Sequence, residues 1–227
     1  VVVTTTDDDS AGITITATGG STAVSETGTT DTFTVVLNTL PTSSVVIDIS
    51  SADSTETSIS PSTLTFTTGD WNTAQTVTVT GVDDDLDDGN QASNVLVDVN
   101  NGSTSDGNYS GLATINVGVT TTDDDTSNFT ITETAGTSVA ESGTTDTFTV
   151  VLNAQPTGNV AFAISSDDTG EATVTSSLTF TTGDWNTAQT VTVTGVNDSE
   201  DDGNQTPAVT VAINTGSTND SIYDAVA

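Results

Sequence analysis

LTFTTGDWNTAQTVTVTGVDDDLDDGN, residues 64–90, carries the pattern that decides the fold. Leu64 and Phe66 alternate with threonines, and Val77 and Val79 alternate with Thr76, Thr78 and Thr80. A period of two with β-branched residues on both faces is the signature of half-buried strands, and the intervening Gly-Asp-Trp-Asn is a turn. An acidic run from Asp83 to Asp88 then follows directly on the second strand.

The same stretch recurs. LTFTTGDWNTAQTVTVTGV returns at residues 178–196, GTTDTFTVVLN of 28–38 returns at 143–153, and VTTTDDD of 3–9 returns at 119–125. Repetition at a fixed period marks an array of like structural units. Glu26 and Glu141 are 115 residues apart, whereas Trp71 and Trp185 are 114 apart. One residue is therefore lost between these blocks, and a loop around Asp53 and Asp167 is the expected place, since loops tolerate length change.

The phase of the repeat divides the chain into residues 1–9 as the closing strand and linker of a preceding repeat, 10–125 as a complete repeat, and 126–227 as a second repeat lacking its closing strand, which in the first copy runs roughly from Leu112 to Thr122. Two readings fit this phase. Either a longer array has been cropped, or the chain is a subunit whose N-terminal strand completes the open sandwich of the next one.

Working outward, Phe33, Val35 and Leu37, then Val45, Ile47 and Ile49, Val95, Val97 and Val99, and Ile115, Val117 and Val119 alternate in the same way. Short strands at this density, divided by Gly, Asn, Asp and Pro turns, predict an all-β chain of tandem Ig-like β-sandwiches with seven to eight strands each. Trp71 and Trp185 are expected to plug one end of each core.

Composition limits function. The 227 residues contain no Lys, Arg, His, Cys or Met, and 32 Asp and Glu give a formal net charge of −32. A chain without a cationic side chain cannot neutralise phosphates, so nucleic acid and anionic membrane surfaces are excluded as partners. No apolar run reaches the roughly 18 residues of a membrane span. Zinc and other metals held by imidazole or thiolate are equally disfavoured, and no disulfide can form. An enzyme is not expected, because the usual nucleophile, base and oxyanion arrangements lack their residues. Asp168-Thr169-Gly170 has the look of an aspartic-protease triplet, but its counterpart is Asp53-Ser54-Thr55.

Oxygen ligands remain, and they suit calcium. Asp7–Asp9, Asp83–Asp88, Asp123–Asp125 and Asp198–Asp202 hold nearly half the carboxylates, each run just after a predicted strand. Two carboxylates at 4 Å repel by about 4 kcal/mol at an effective dielectric constant of 20, so a fold that gathers them needs a counter-ion.

The order of a Val-Ser-Glu segment, then WNTAQTVTVTGVDDDLDDGN, then a closing strand ending in DDD resembles the Calx-β repeat, in particular the Calx-β-like repeats of long bacterial surface and adhesin proteins. The resemblance spans essentially the whole chain. It implies a sandwich that binds several Ca2+ ions at one end, near the junction with the next domain. By motif it assigns as first-repeat ligands Glu26, Asp53, Asp83, Asp84, Asp88, Asp123, Asp124 and Asp125, and in the second repeat Glu141, Asp167 or Asp168, Asp198 and Asp202, with Asp7, Asp8 and Asp9 serving the preceding repeat. Gln91 and Gln205 stand where the family often has a glutamate, and Asn197 replaces Asp83 in the second copy, so affinity is expected at about 10⁻⁴ to 10⁻³ M, useful only outside cells.

The expected function is thus a calcium-rigidified structural segment of an extracellular or cell-surface protein, an adhesin stalk, filament or sheath, whose partners are neighbouring repeats or identical subunits. The alternative is a ligand-binding module, with loop Asp and calcium holding a glycan, or outward Thr rows such as Thr76, Thr78 and Thr80 meeting ice.

Overall fold

The structure is a computed structural model and describes residues 1–226. It divides into two compact units, one of residues 1–84 and 88–124, the other of residues 85–87 and 125 onward.

The first unit has nine strands: β1 (Ile13–Ala17), β2 (Thr22–Ser25), β3 (Thr30–Leu37), β4 (Val45–Ser51), β5 (Thr57–Ser60), β6 (Thr63–Phe66), β7 (Gln75–Gly81), β8 (Gln91–Val99) and β9 (Ile115–Thr122). They form two sheets, ordered β1-β3-β7-β5 and β2-β9-β8-β4-β6. All pairs are antiparallel except β2 with β9. Nine strands arise where seven or eight were expected because two stretches each serve both sheets. A 3₁₀ turn at Thr18–Gly20, with Gly19 and Gly20 at φ of 70° and 90°, carries the chain from β1 in one sheet to β2 in the other. Positive φ costs a glycine almost nothing, which permits so abrupt a crossing. Pro61 and Ser62 do the same between β5 and β6.

The alternating apolar residues meet between the sheets. Phe33, Val35, Leu37, Val77 and Val79 from one sheet are buried in one cluster with Val45, Ile47, Ile49, Val95, Val97, Val99, Val117 and Val119 from the other. Burying a Val, Leu, Ile or Phe side chain contributes about 1.5–3 kcal/mol, so this layer is what holds the sheets together. Trp71 is half-buried against the cluster and its carbonyl accepts the Leu37 amide at 3.2 Å.

The second unit has β10 (Phe129–Glu133), β11 (Thr145–Leu152), β12 (Val160–Ser166), β13 (Ala172–Val174), β14 (Ser177–Phe180), β15 (Gln189–Gly195), β16 (Val209–Ile213) and a short helix, α1 (Ser221–Ala225). Its sheets are β10-β11-β15-β13 and β14-β12-β16. Phe162 makes edge-on contacts with Phe129 and Phe180, at centroid distances of 5.0 and 5.8 Å.

Register relocates the residue lost between the copies. Thr57 pairs with Gly81 and Ala172 with Gly195, while the carbonyls of Ser62 and Ser176 accept from Ile49 and Ile164. Asp53 and Asp168 are therefore equivalent, and the 115-residue spacing persists past them. The lost residue is Pro61, in the crossing between sheets, and not one near Asp53 and Asp167. The Asp53 loop keeps its length because its turn and the following Glu are both fixed.

One element recurs that the strand pattern does not announce. Asp106 accepts from the Thr42 amide and hydroxyl at 2.5 and 2.9 Å, and the buried Tyr109 hydroxyl donates to the Thr39 carbonyl at 2.7 Å. Asp220 and Tyr223 repeat this with Thr157 and the Ala154 carbonyl. These bonds to amide and hydroxyl donors hold Asp106 and Asp220 below the ordinary carboxylate range against the effect of burial.

Candidate metal centre

Gly81 places the first carboxylate. It ends β7 so close to β2 that a Cβ there would lie 2.0 Å from the Ser25 carbonyl oxygen, and Gly195 stands equally close to the Ala140 carbonyl at 2.1 Å. Only glycine allows this approach. The next residue in each case is glutamate. Glu26 donates its amide to the Thr122 carbonyl of β9 at 3.1 Å, which anchors it at the end of the sandwich.

Glu56 arrives from the other side of the same strand end, its carbonyl accepting the Val82 amide at 2.9 Å. Both glutamates are nearly inaccessible, at 1% and 4% exposure, and Oε2 of each has no hydrogen-bond partner. A buried polar atom without a partner is costly, and more so when charged. One carboxylate oxygen each from Glu26, Glu56 and Asp88 lie within 4.8 Å of one another. Calcium binds oxygens at about 2.4 Å, so two ligands on opposite sides of an ion stand about 4.8 Å apart. The cluster has the size and the oxygen donors calcium requires.

Electrostatics agree. Burial, reinforced by the negative charge of Asp123, Asp84, Glu56 and Asp88, pushes Glu26 up from 4.5 to about 7. Burial and neighbouring aspartates also raise Glu56. Asp123 is tied into the cluster, its Oδ2 accepting the Gly89 amide at 2.7 Å.

The structure thus brings together Glu26, Asp84, Asp88 and Asp123 from the sequence-derived set, and adds Glu56. It does not bring in Asp53, which is exposed and accepts from the Thr55 amide and hydroxyl at 3.1 and 2.6 Å. Those bonds lower its pKa and make it a turn-former. Asp83 and Asp124 are exposed. Asp7, Asp8 and Asp9 lie close together but are exposed. Glu56 had one sequence signal: Glu26 and Glu56 are the only glutamates in the first 125 residues, and both recur 115 residues on, as Glu141 and Glu171.

In the second unit the counterpart of Glu56 is Glu171, raised by burial and then by Asp202, Asp198, Asp168 and Glu141. These carboxylates are more open, with Glu141 and Glu171 only half-buried. Asp167 stands apart, its Oδ1 accepting the Ala208 amide at 2.7 Å.

No family model and no curated protein matches the sequence. Among solved structures the chain is similar to calcium binding domain CBD12 of CALX1.1, with 15% identity, a TM-score of 0.36, and 88% of this chain and 80% of that chain covered. It is similar to CBD12 from CALX1.2, with 14% identity, a TM-score of 0.34 and coverages of 87% and 79%. The S-layer protein SbsC, domains 4 and 5, is a third, with 17% identity, a TM-score of 0.35 and coverages of 91% and 94%.

Proposed function

We propose that this chain is a structural, calcium-binding repeat segment of an extracellular surface protein. The observation that carries the reading is the pair of buried, unpartnered Oε2 atoms of Glu26 and Glu56 beside Asp88, in a chain with no cationic side chain. Calcium would supply the missing charge there, held by Glu26, Glu56 and Asp88, with Asp84 and Asp123 adding to the negative field. Binding joins the end of β2, the loop before β5 and the acidic loop after β7, so the ion acts as a fastener at one end of the sandwich. Repeats of this kind serve as spacers whose stability is nearly additive along an array. A module that depends on calcium suits the outside of the cell, where the ion is abundant.

Calorimetric titration with CaCl2, together with melting curves in calcium and in EGTA, tests the reading. A saturable isotherm and a raised melting temperature are expected. Identical melting with and without chelator overturns it.

A further inference from the structure

The inner face of strands β2, β9 and β8 changes chemistry toward the end that carries Glu26. Along β9 the inward residues are Ile115, Val117, Val119 and Thr121, and along β8 they are Val97, Val95, Ser93 and Gln91. Register places Val95 opposite Val117, Ser93 opposite Val119 and Gln91 opposite Thr121. On the other flank Thr22 lies opposite Val119 and Val24 opposite Thr121. The β9 core is therefore hydrocarbon as far as Val119 and turns polar at Thr121.

Thr121 is fully buried, at 0% exposure. Its Oγ1 has no hydrogen-bond partner among the described residues, and neither do Oγ1 of Thr22 and Oγ of Ser93, its diagonal neighbours on the two flanking strands. A hydroxyl shut away from water without a partner destabilises a fold. Valine fills nearly the same volume and would continue the pattern of Val117 and Val119 without that cost. The hydroxyl is explained by a partner that is not a protein group.

The surroundings of Thr121 identify that partner. β2 leads from Val24 to Glu26, whose amide donates to the Thr122 carbonyl at 3.1 Å, so Glu26 follows Val24 on the same face, one step beyond Thr121. Gln91, directly opposite Thr121, donates from Nε2 to the Asp88 carbonyl at 3.0 Å. Thr121 thus lies between the strand ends that carry Glu26 and Asp88, and those two carboxylates meet Glu56 within 4.8 Å. Calcium takes about six to eight oxygens and commonly keeps water among them, more than three carboxylates supply when any binds through one oxygen.

We propose that the Thr121 hydroxyl positions a water molecule that completes the calcium shell formed by Glu26, Glu56 and Asp88. This rests on the metal reading given under the proposed function and adds to it a residue without charge. The water's oxygen faces the ion and its protons are donated outward, so Thr121 Oγ1 is an acceptor whose own proton goes to a neighbouring oxygen. Thr121 is a positioning residue, because it acts on the ion through the water. Thr22 and Ser93 extend the same polar corner inward.

Thr121→Val and Thr121→Ser in the full chain, compared by calorimetric titration with CaCl2 and by melting in EGTA, test the proposal. The binding phase that disappears in Glu56→Gln marks the site. Thr121→Val should weaken that phase about tenfold or more, the usual effect of losing a partner just outside a metal's shell. Thr121→Ser keeps the hydroxyl and should bind like wild type. In EGTA, Thr121→Val should melt no lower than wild type, since it removes an unpaired buried hydroxyl. Wild-type calcium affinity in Thr121→Val overturns the proposal, as does a Thr121→Ser variant weakened equally. Melting of Thr121→Val well below wild type in EGTA also overturns it, because the hydroxyl would then already be bonded to protein. Those outcomes leave the metal reading in place. A wild-type titration with no phase sensitive to Glu56→Gln removes that reading and this one with it.

Discussion

A carboxylate oxygen of Glu26 and one of Glu56 lie within 4.8 Å of each other at the end of the first sandwich, both side chains buried and neither Oε2 bonded. In a chain without Lys, Arg or His the only ways to relieve such a pair are a proton or a metal ion.

Replacing Glu56 with Gln separates these two modes of relief. Without calcium, Glu56→Gln removes one of two repelling buried charges and should stabilise the first unit by about 1–3 kcal/mol. With calcium the same variant loses a ligand and should gain little on adding the ion. Melting curves with and without EGTA should therefore change order between wild type and variant.

The pH dependence of the calcium-free protein follows from Glu26. Its folded-state pKa is raised from 4.5 to about 7, so between those values the folded state holds a proton that the unfolded state has released. Stability is then greatest near or below pH 4.5 and is lost as pH rises through 7, by about 3 kcal/mol for a shift of this size. Glu56 adds in the same sense. Asp106 and Asp220, held below the ordinary range, act oppositely, and their contribution is lost only as pH falls below about 4. Denaturant midpoints in EGTA from pH 4 to 8 should decline with pH, and saturating calcium should remove most of the decline.

Gly81→Ala tests how the site is positioned. Its new Cβ would meet the Ser25 carbonyl oxygen at 2.0 Å, and backbone must move to admit it. A loss of about 2 kcal/mol or more is expected, with weaker calcium binding because Glu26 follows Ser25. An unchanged isotherm would mean that Glu26 is not a ligand.

Asp53→Asn provides the contrast. Asp53 is exposed and caps its own turn through Thr55, so calcium titration of this variant should match wild type.

Tyr109→Phe probes the polar plug, which is independent of metal. Removing the hydroxyl leaves the buried bond to the Thr39 carbonyl unmade and should cost about 1–2 kcal/mol. Denaturant curves should show this loss equally in calcium and in EGTA.

The sequence by itself determined the class of fold, the two repeats and the identity of the core. Alternation of period two leaves each strand one apolar face, as in Phe33, Val35 and Leu37, and the copied blocks fix the unit. It also determined that any ion must be held by oxygen, since no other ligand type is present. Tertiary structure decided which carboxylates meet. Asp53 is among the ligands the family resemblance assigned, yet its carboxylate is used by its own turn, while Glu56, three residues on, is carried inward by the pairing of β5 with the end of β7. Runs of aspartate mark where charge is dense along the chain, but a site forms where separate strand ends converge, and that convergence depends on sheet order and on approaches such as Gly81 to Ser25.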